Sequence, residues 1–306
     1  MKVSTNQYFT ELTRHLTDQQ GQIAKLQAKL ATGGKFISPS DDPSAAVKGL
    51  SLKSIMAEQD TQMGNFLRLD DRLNQEEAII STMRNMVTRM QELAVMGSNA
   101  TFTESDRKAM AIEVRGYRNE MLSLANNRDD NGAYLFSGAR TGSPPFVPGA
   151  DDSVSYTGDA TRLYIEMDAG QRLEINTTGY ELFSGGSGTR NSPLDATGGF
   201  AVFDNFVNAL ENSDMAEINV SLNRLDSVRV SMETATSKLG LRRNMIDLKK
   251  EIHVERQITL QSMLSRERDL DYTKAITELS SRMLALEAAQ STMAKISQLT
   301  LFNYLR

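Results

Sequence analysis

Residues 9–30 read FTELTRHLTDQQGQIAKLQAKL, and within them Phe9, Leu12, Leu16, Gln19, Ile23, Leu26 and Leu30 follow one another in alternating steps of three and four. That spacing is a heptad seam, the pattern of a helix that lays one apolar edge against another helix. Near the other end, residues 272–293 repeat it with Tyr272, Ile276, Leu279, Met283, Leu286, Gln290 and Met293, and Ile296, Leu299, Leu301 and Leu305 prolong it less regularly. Two matching seams at the sequence extremes predict N- and C-terminal helices packed as a coiled coil, on each other or on neighbouring subunits. The chain then folds back on itself as an elongated helical bundle. Isolated helices of this length are marginal in water, so both need partners to stay ordered.

Working inward, Gly33-Gly34 stops the first helix at about Thr32, because glycine accepts the left-handed conformation that ends helices. In Ser38-Pro39-Ser40-Asp41-Asp42-Pro43, Asp42 can cap a new helix with Pro43 at its first position, where a missing N–H costs nothing. A long seam then runs from Leu69 through Leu73, Glu76, Ile80, Met83, Val87 and Met90 to Ala94, with Glu76 its one polar member, until Gly97-Ser98-Asn99. Thr103 with Asp106 resembles a capping box for the next helix. That helix carries Met110, Val114, Tyr117, Met121 and Leu124 and ends near Asn126.

From Gly132 the period changes. Tyr134-Leu135-Phe136 reads as a strand, and Gly142-Ser143-Pro144-Pro145 and Pro148-Gly149 break any helix. Leu163, Ile165 and Met167 alternate with Tyr164 and Glu166, Asp168-Ala169-Gly170 can turn, and Leu173 and Ile175 alternate back, a hairpin pattern. Ser184-Gly185-Gly186-Ser187-Gly188 and Thr197-Gly198-Gly199 read as flexible connections. Helical periodicity returns near Phe200 with Phe203, Phe206, Val207 and Leu210, and continues from about Ala216 with Leu222, Leu225, Val228, Val230 and Leu239. The expected fold is mainly α with a β-rich insertion. Three parts follow: residues 1–42 with 271–306 as a terminal coiled coil, 43–138 with 200–270 as a helical rod, and 139–199 as a β-rich side domain.

The 306 residues, 40% of them apolar, can bury a sizeable core. Lys plus Arg number 34 against 39 Asp plus Glu, so the net charge of -5 gives no general electrostatic pull toward nucleic acid or anionic membrane, and partners should be proteins. The absence of cysteine excludes disulfides, thiolate metal sites and cysteine nucleophiles. No stretch approaches the roughly 20 apolar residues of a membrane span, and the N-terminus has no apolar secretory core or cleavage site. Trp is missing and Met numbers 16, which suits long helices whose irregular seams are filled by adaptable thioethers.

No catalytic, cofactor or metal constellation emerges. His15 and His253 are the only histidines, far apart, each on a polar helical stretch that suits a surface or seam-edge residue. Gly185–Gly188 lacks the Lys-Ser/Thr of a phosphate loop. Asn127, Asp129, Asn131 and Gly132 match the opening of a calcium loop, but position twelve is Gly138 where a bidentate carboxylate is required, so a turn is expected. The pairs Asp41-Asp42 and Asp151-Asp152 lie in loop-like sequence and read as caps and turns.

Once these pieces are in order, the chain resembles the bacterial flagellin family over nearly its whole length. Leu30-Ala31-Thr32-Gly33 with Ile37-Ser38-Pro39-Ser40-Asp41-Asp42-Pro43 looks like that family's loop between terminal and core helices, with Gly34 and Phe36 a mild departure. Leu122-Ser123-Leu124-Ala125-Asn126, Asn131-Gly132-Ala133-Tyr134-Leu135-Phe136-Ser137-Gly138, Leu270-Asp271-Tyr272, Leu286-Glu287-Ala288-Ala289-Gln290 and Leu301-Phe302-Asn303-Tyr304-Leu305 are similar to its hook-filament junction members more than to filament subunits. The resemblance implies a non-catalytic adaptor without cofactor, exported unfolded through the flagellar type III channel to the extracellular hook-filament junction, with no cleavable signal peptide. Its implied partners are hook-associated protein 1, flagellin, copies of itself in a ring, and an export chaperone. The assembly seam would comprise Phe9, Leu12, Leu16, Ile23, Leu26, Leu30, Ile276, Leu279, Met283, Leu286 and Met293. Rival readings are filament flagellin itself, an enzyme carried in the β insertion, and a nucleic-acid-binding coiled coil, which the acidic balance disfavours.

Overall fold

The computed structural model describes residues 2–150, 152–168, 171–183 and 199–304. In chain order its elements are α1 (Lys2–Thr32), α2 (Pro43–Gly97), α3 (Glu104–Ala125), β1 (Phe146–Pro148), β2 (Val154–Tyr156), β3 (Tyr164–Asp168), β4 (Gln171–Glu174), α4 (Gly179–Phe183), α5 (Ala201–Glu211), α6 (Met215–Arg268) and α7 (Tyr272–Tyr304). The fold is mainly α with a small β insertion, and its terminal helices α1 and α7 pack on each other. The Ser184–Gly188 and Thr197-Gly198 connections, the Ala169-Gly170 turn, Asp151 and Leu305 lie outside the described residues, as do the side chains of Phe9, Ile296, Leu299 and Leu301.

Two compact units divide the chain: residues 1–61 with 253–306, and residues 62–252. The boundaries fall inside α2 and α6, so both long helices contribute to both units.

In the terminal unit, α1 ends where Gly33 turns left-handed at φ 69° and its N–H bonds Lys29 O at 2.9 Å. The turn is pinned across the chain: Leu270 N–H donates to Gly33 O and Lys35 N–H to Arg268 O, both at 2.8 Å. The C-terminal end of α1 therefore meets the start of α7, and the two helices run antiparallel. Asp42 caps α2 through a 2.9 Å bond from Ala45 N–H, with Pro43 at the first helical position. Asp41 Oδ2 accepts from the backbones of Ile37 and Ser38 and ties the loop. Those amide donors, Ser38 first, hold its carboxyl below the usual Asp range.

The larger unit is built on antiparallel α2 and α6. Arg243 Nη1 reaches Glu77 Oε2 at 2.5 Å, Lys250 Nζ reaches Asp70 Oδ2 at 2.6 Å, and Gln91 Nε2 reaches Asp226 Oδ1 at 3.3 Å. Between them lie Leu73, Ile80, Met83, Val87, Met90 and Ala94 of α2 and Leu225, Val228, Met232, Leu239 and Ile246 of α6, all buried. Val230 instead faces outward. Thr103 and Asp106 form a reciprocal capping box on α3, which packs against α5 and is joined to it by Arg118 Nε on Asp204 Oδ1 at 3.0 Å.

The insertion departs from the sequence reading in one place. Tyr134-Leu135-Phe136 is not a strand but a buried turn, because its backbone groups go to scattered partners rather than one ladder. Tyr134 N–H bonds Thr141 O, Leu135 N–H bonds Asn127 O, and Phe136 O accepts from Gly179 N–H and Tyr156 Oη. The hairpin at Leu163–Ile175 is present as antiparallel β3–β4, pairing Ile165 with Leu173. A second hairpin, β1–β2, pairs Phe146 with Tyr156.

Gly138 has φ 72°, and a Cβ there would stand 2.3 Å from the Asp159 carbonyl oxygen. Gly138→Ala is expected to destabilise the larger unit by about 1–3 kcal/mol through backbone strain alone. A lowered urea midpoint with an unchanged slope is the readout, and an unchanged midpoint would remove this account of the turn.

Candidate assembly interface

Bound to the Gly33–Lys35 turn, α1 and α7 lie side by side, and Arg282 Nη1 donating to Gln22 Oε1 fixes their register. On α1 the structure buries Ile23 and Leu26 and half-buries Leu12, Leu16, Gln19 and Leu30. On α7, Leu279, Leu286 and Met293 are half-buried and Ala275 is buried, while Ile276 and Met283 are 53% and 51% exposed. The face that α7 turns toward α1 is thus Ala275, Leu279, Arg282, Leu286, Ala289 and Met293, itself a perfect alternation of four and three. Tyr272, Ile276 and Met283 form a second apolar edge, open in the single chain. A helix with one edge on its partner and another uncovered can join further helices without unfolding.

The remaining chemistry-bearing residues serve structure. Asp129 Oδ1 accepts from the amides of Asn131 and Ala133, which makes the stretch that opened like a calcium loop a fastened turn. Among the described residues no group of three or more His, Cys, Asp or Glu could hold a metal ion, and no helix is long and apolar enough to cross a membrane. His15 is exposed, whereas His253 is buried, seven residues from both Ile246 and Leu260 on the inward edge of α6, so its polar sequence neighbours misrepresented its side of the helix.

One buried polar group was visible only as an exception to a pattern. Glu76, the polar member of the α2 seam, is 0% exposed. Arg72 Nε lies 3.4 Å from its Oε1, and Oε2 has no hydrogen-bond partner. Burial is the main cause that raises its pKa to about 7, against the weaker opposing pull of Arg72, Thr177 and Arg242. Beside it runs an ionic chain from the insertion to α6: Arg242 Nη2 on Glu174 Oε1 at 2.5 Å, Arg162 Nη1 on Glu174 Oε2 at 2.8 Å, and Arg162 Nη2 on Glu181 Oε1 at 2.5 Å.

Helical units with an open apolar edge and a polar network committed to structure define a structural assembly protein. Residues 3–141 match the model of the bacterial flagellin N-terminal helical region. The chain is 26% identical to flagellar hook-associated protein 3 of Escherichia coli strain K12, with 99% of each chain covered. It is 29% identical to a flagellin of Listeria monocytogenes over 46% of this chain and 50% of that one. The solved structure of a flagellar hook-associated protein from Vibrio parahaemolyticus covers 75% of this chain and 100% of its own, at a TM-score of 0.67 and 23% identity, and shares the fold. By these similarities the chain is a flagellin-like structural protein, not an enzyme.

Proposed function

We propose that this chain is the adaptor at the hook-filament junction of a bacterial flagellum, joining the hook, through hook-associated protein 1, to the flagellin filament. One observation carries the reading: similarity to a flagellar hook-associated protein 3 runs over 99% of both chains, whereas similarity to the Listeria monocytogenes flagellin spans 46% of this chain. The protein acts outside the cell, in a ring of its own copies, after type III export. Residues 1–42 with 271–306 form the inner tube layer, 43–138 with 200–270 the rod, and 139–199 the outward side domain. Seams common to the family continue the lattice, while other surfaces select neighbours.

Immunogold electron microscopy of intact flagella with an antibody against the insertion tests the reading. One narrow band between hook and filament is expected. Label along the whole filament would make the chain a flagellin, and no flagellar label would overturn both.

Because α7 keeps an apolar edge uncovered and most of the α1 seam is only half-buried, both ends should open readily in dilute monomer. Hydrogen exchange is expected to show residues 5–30 and 272–300 exchanging far faster than the α2 and α6 amides of the larger unit, then slowing on assembly. Strong protection of the ends in the free monomer would defeat this. An export chaperone is expected to engage the same C-terminal helix, so deletion of residues 270–306 should abolish its capture.

A further inference from the structure

Glu76 is a carboxyl in an almost dry place with incomplete support. Its own helix offers Arg72, whose Nε is 3.4 Å away and whose Nη1 is shared with Asp129 Oδ2 of the loop after α3 at 3.5 Å, while Nη2 has no hydrogen-bond partner. From the β4 side come Glu174 and Thr177, and from α6 comes Arg242. Arg242 is already committed, to Glu174 at 2.5 Å and to the Thr177 hydroxyl at 3.2 Å. The Thr177 hydroxyl faces Glu76 without completing a bond to Oε2. Every cation near the carboxyl is therefore loosely placed or engaged elsewhere, and a charge at Glu76 has no dedicated counter-ion.

We infer that Glu76 is a proton-operated latch: protonated, it lets the segment from β4 to Thr178 close on α2 and α6, and ionised, it loosens that closure. The direction follows from its surroundings. An opened segment admits water and returns Glu76 toward an ordinary carboxyl, so closure binds a proton more tightly than opening does. Closure is then firmest below about pH 4.5, weakens by up to roughly tenfold per pH unit as pH rises, and levels off above about 7. The neighbouring network gives the latch its target, because Glu174 ends β4, Thr177 follows three residues on, and both accept from Arg242 of α6.

The test is hydrogen exchange on the full chain at pH 5.5 and 7.5, corrected for intrinsic exchange rates. Protection of amides 171–178 is expected to fall at least tenfold more than that of Val87–Leu93 on raising the pH, and Glu76→Gln is expected to abolish the difference. A wild-type chain with no differential loss, or a Gln variant with the same loss, would overturn the latch. Should the variant misfold, the wild-type carboxyl itself decides by carbon-13 titration. A Glu76 midpoint above pH 6 supports the proposal and one below 5 refutes it.

Discussion

Phe146→Ala is expected to destabilise the larger unit by about 3–5 kcal/mol, the range for emptying a buried phenylalanine site that cannot collapse. Phe146 is 1% exposed, with its ring 5.1 Å from both Tyr156 and Phe183 and 5.2 Å from Phe200. The Phe183 and Phe200 rings are 5.0 Å apart, and both reach Phe203. Tilted and edge-on pairs of this kind add about 0.5–1.5 kcal/mol each beyond the area they bury. The backbone is clamped as well: Asn126 at the end of α3 receives Phe146 N–H on Oδ1 at 3.0 Å and donates from Nδ2 to Phe146 O at 2.8 Å. Gly179 leaves no slack on another side, since a Cβ there would meet the Phe146 ring at 2.6 Å. A site held from β2, α3, α4 and α5 has little freedom to refill. For a unit of this size the melting temperature should fall by roughly 6–20 °C. A loss under 1 kcal/mol by urea titration would show that the ring cluster is not where the insertion is anchored.

That cluster was out of reach of sequence reasoning, for a physical reason. Phe203 and Phe206 stand in a helical period and are legible as core. Phe146 and Phe183 lie beside Pro-rich and Gly-rich stretches, where no period exists and only the folded chain brings them together. The same division runs through the molecule. Gly33, Asp42-Pro43 and the Thr103–Asp106 box were legible because capping is a conversation between residues within one turn. Tyr134-Leu135-Phe136 was misread because three apolar residues in a row satisfy a buried turn as well as a strand. Glu76 stood out as polar, but its surroundings come from residues 129, 174, 177 and 242, none of them near in sequence. On α7 the heptad rule allows two registers that share Leu279, Leu286 and Met293. Counting only large apolar residues selects Ile276 and Met283, whereas the fold turns Ala275, Arg282 and Ala289 toward α1 and leaves the larger residues open.

That ambiguity makes Leu286 the most informative position for assembly, because it belongs to both registers. The Arg282–Gln22 contact places Leu286, one turn further along α7, beside Leu16 and Gln19 of antiparallel α1. In the single chain it is only half-buried, so a polar group there can still reach water, and it belongs to the terminal unit rather than to residues 62–252. In the proposed assembly the remaining exposure would close. Burying the native leucine then contributes roughly 1.5–3 kcal/mol per copy. An aspartate would forfeit that and add the cost of an unpaired charge in a dry seam. Together these weaken each subunit contact by more than about 3 kcal/mol, upward of a hundredfold in its association constant. Leu286→Asp is therefore expected to leave the melting of the larger unit within about 0.5 kcal/mol of wild type, and the chain exported. In a strain dependent on this protein, hooks should be bare and flagellin lost to the medium. Leu286→Met, which keeps volume and apolarity, should restore attached filaments. Normal filaments on the aspartate variant would sink the terminal seam as the assembling element, and Ile276 and Met283 on the open edge would be the next positions to change.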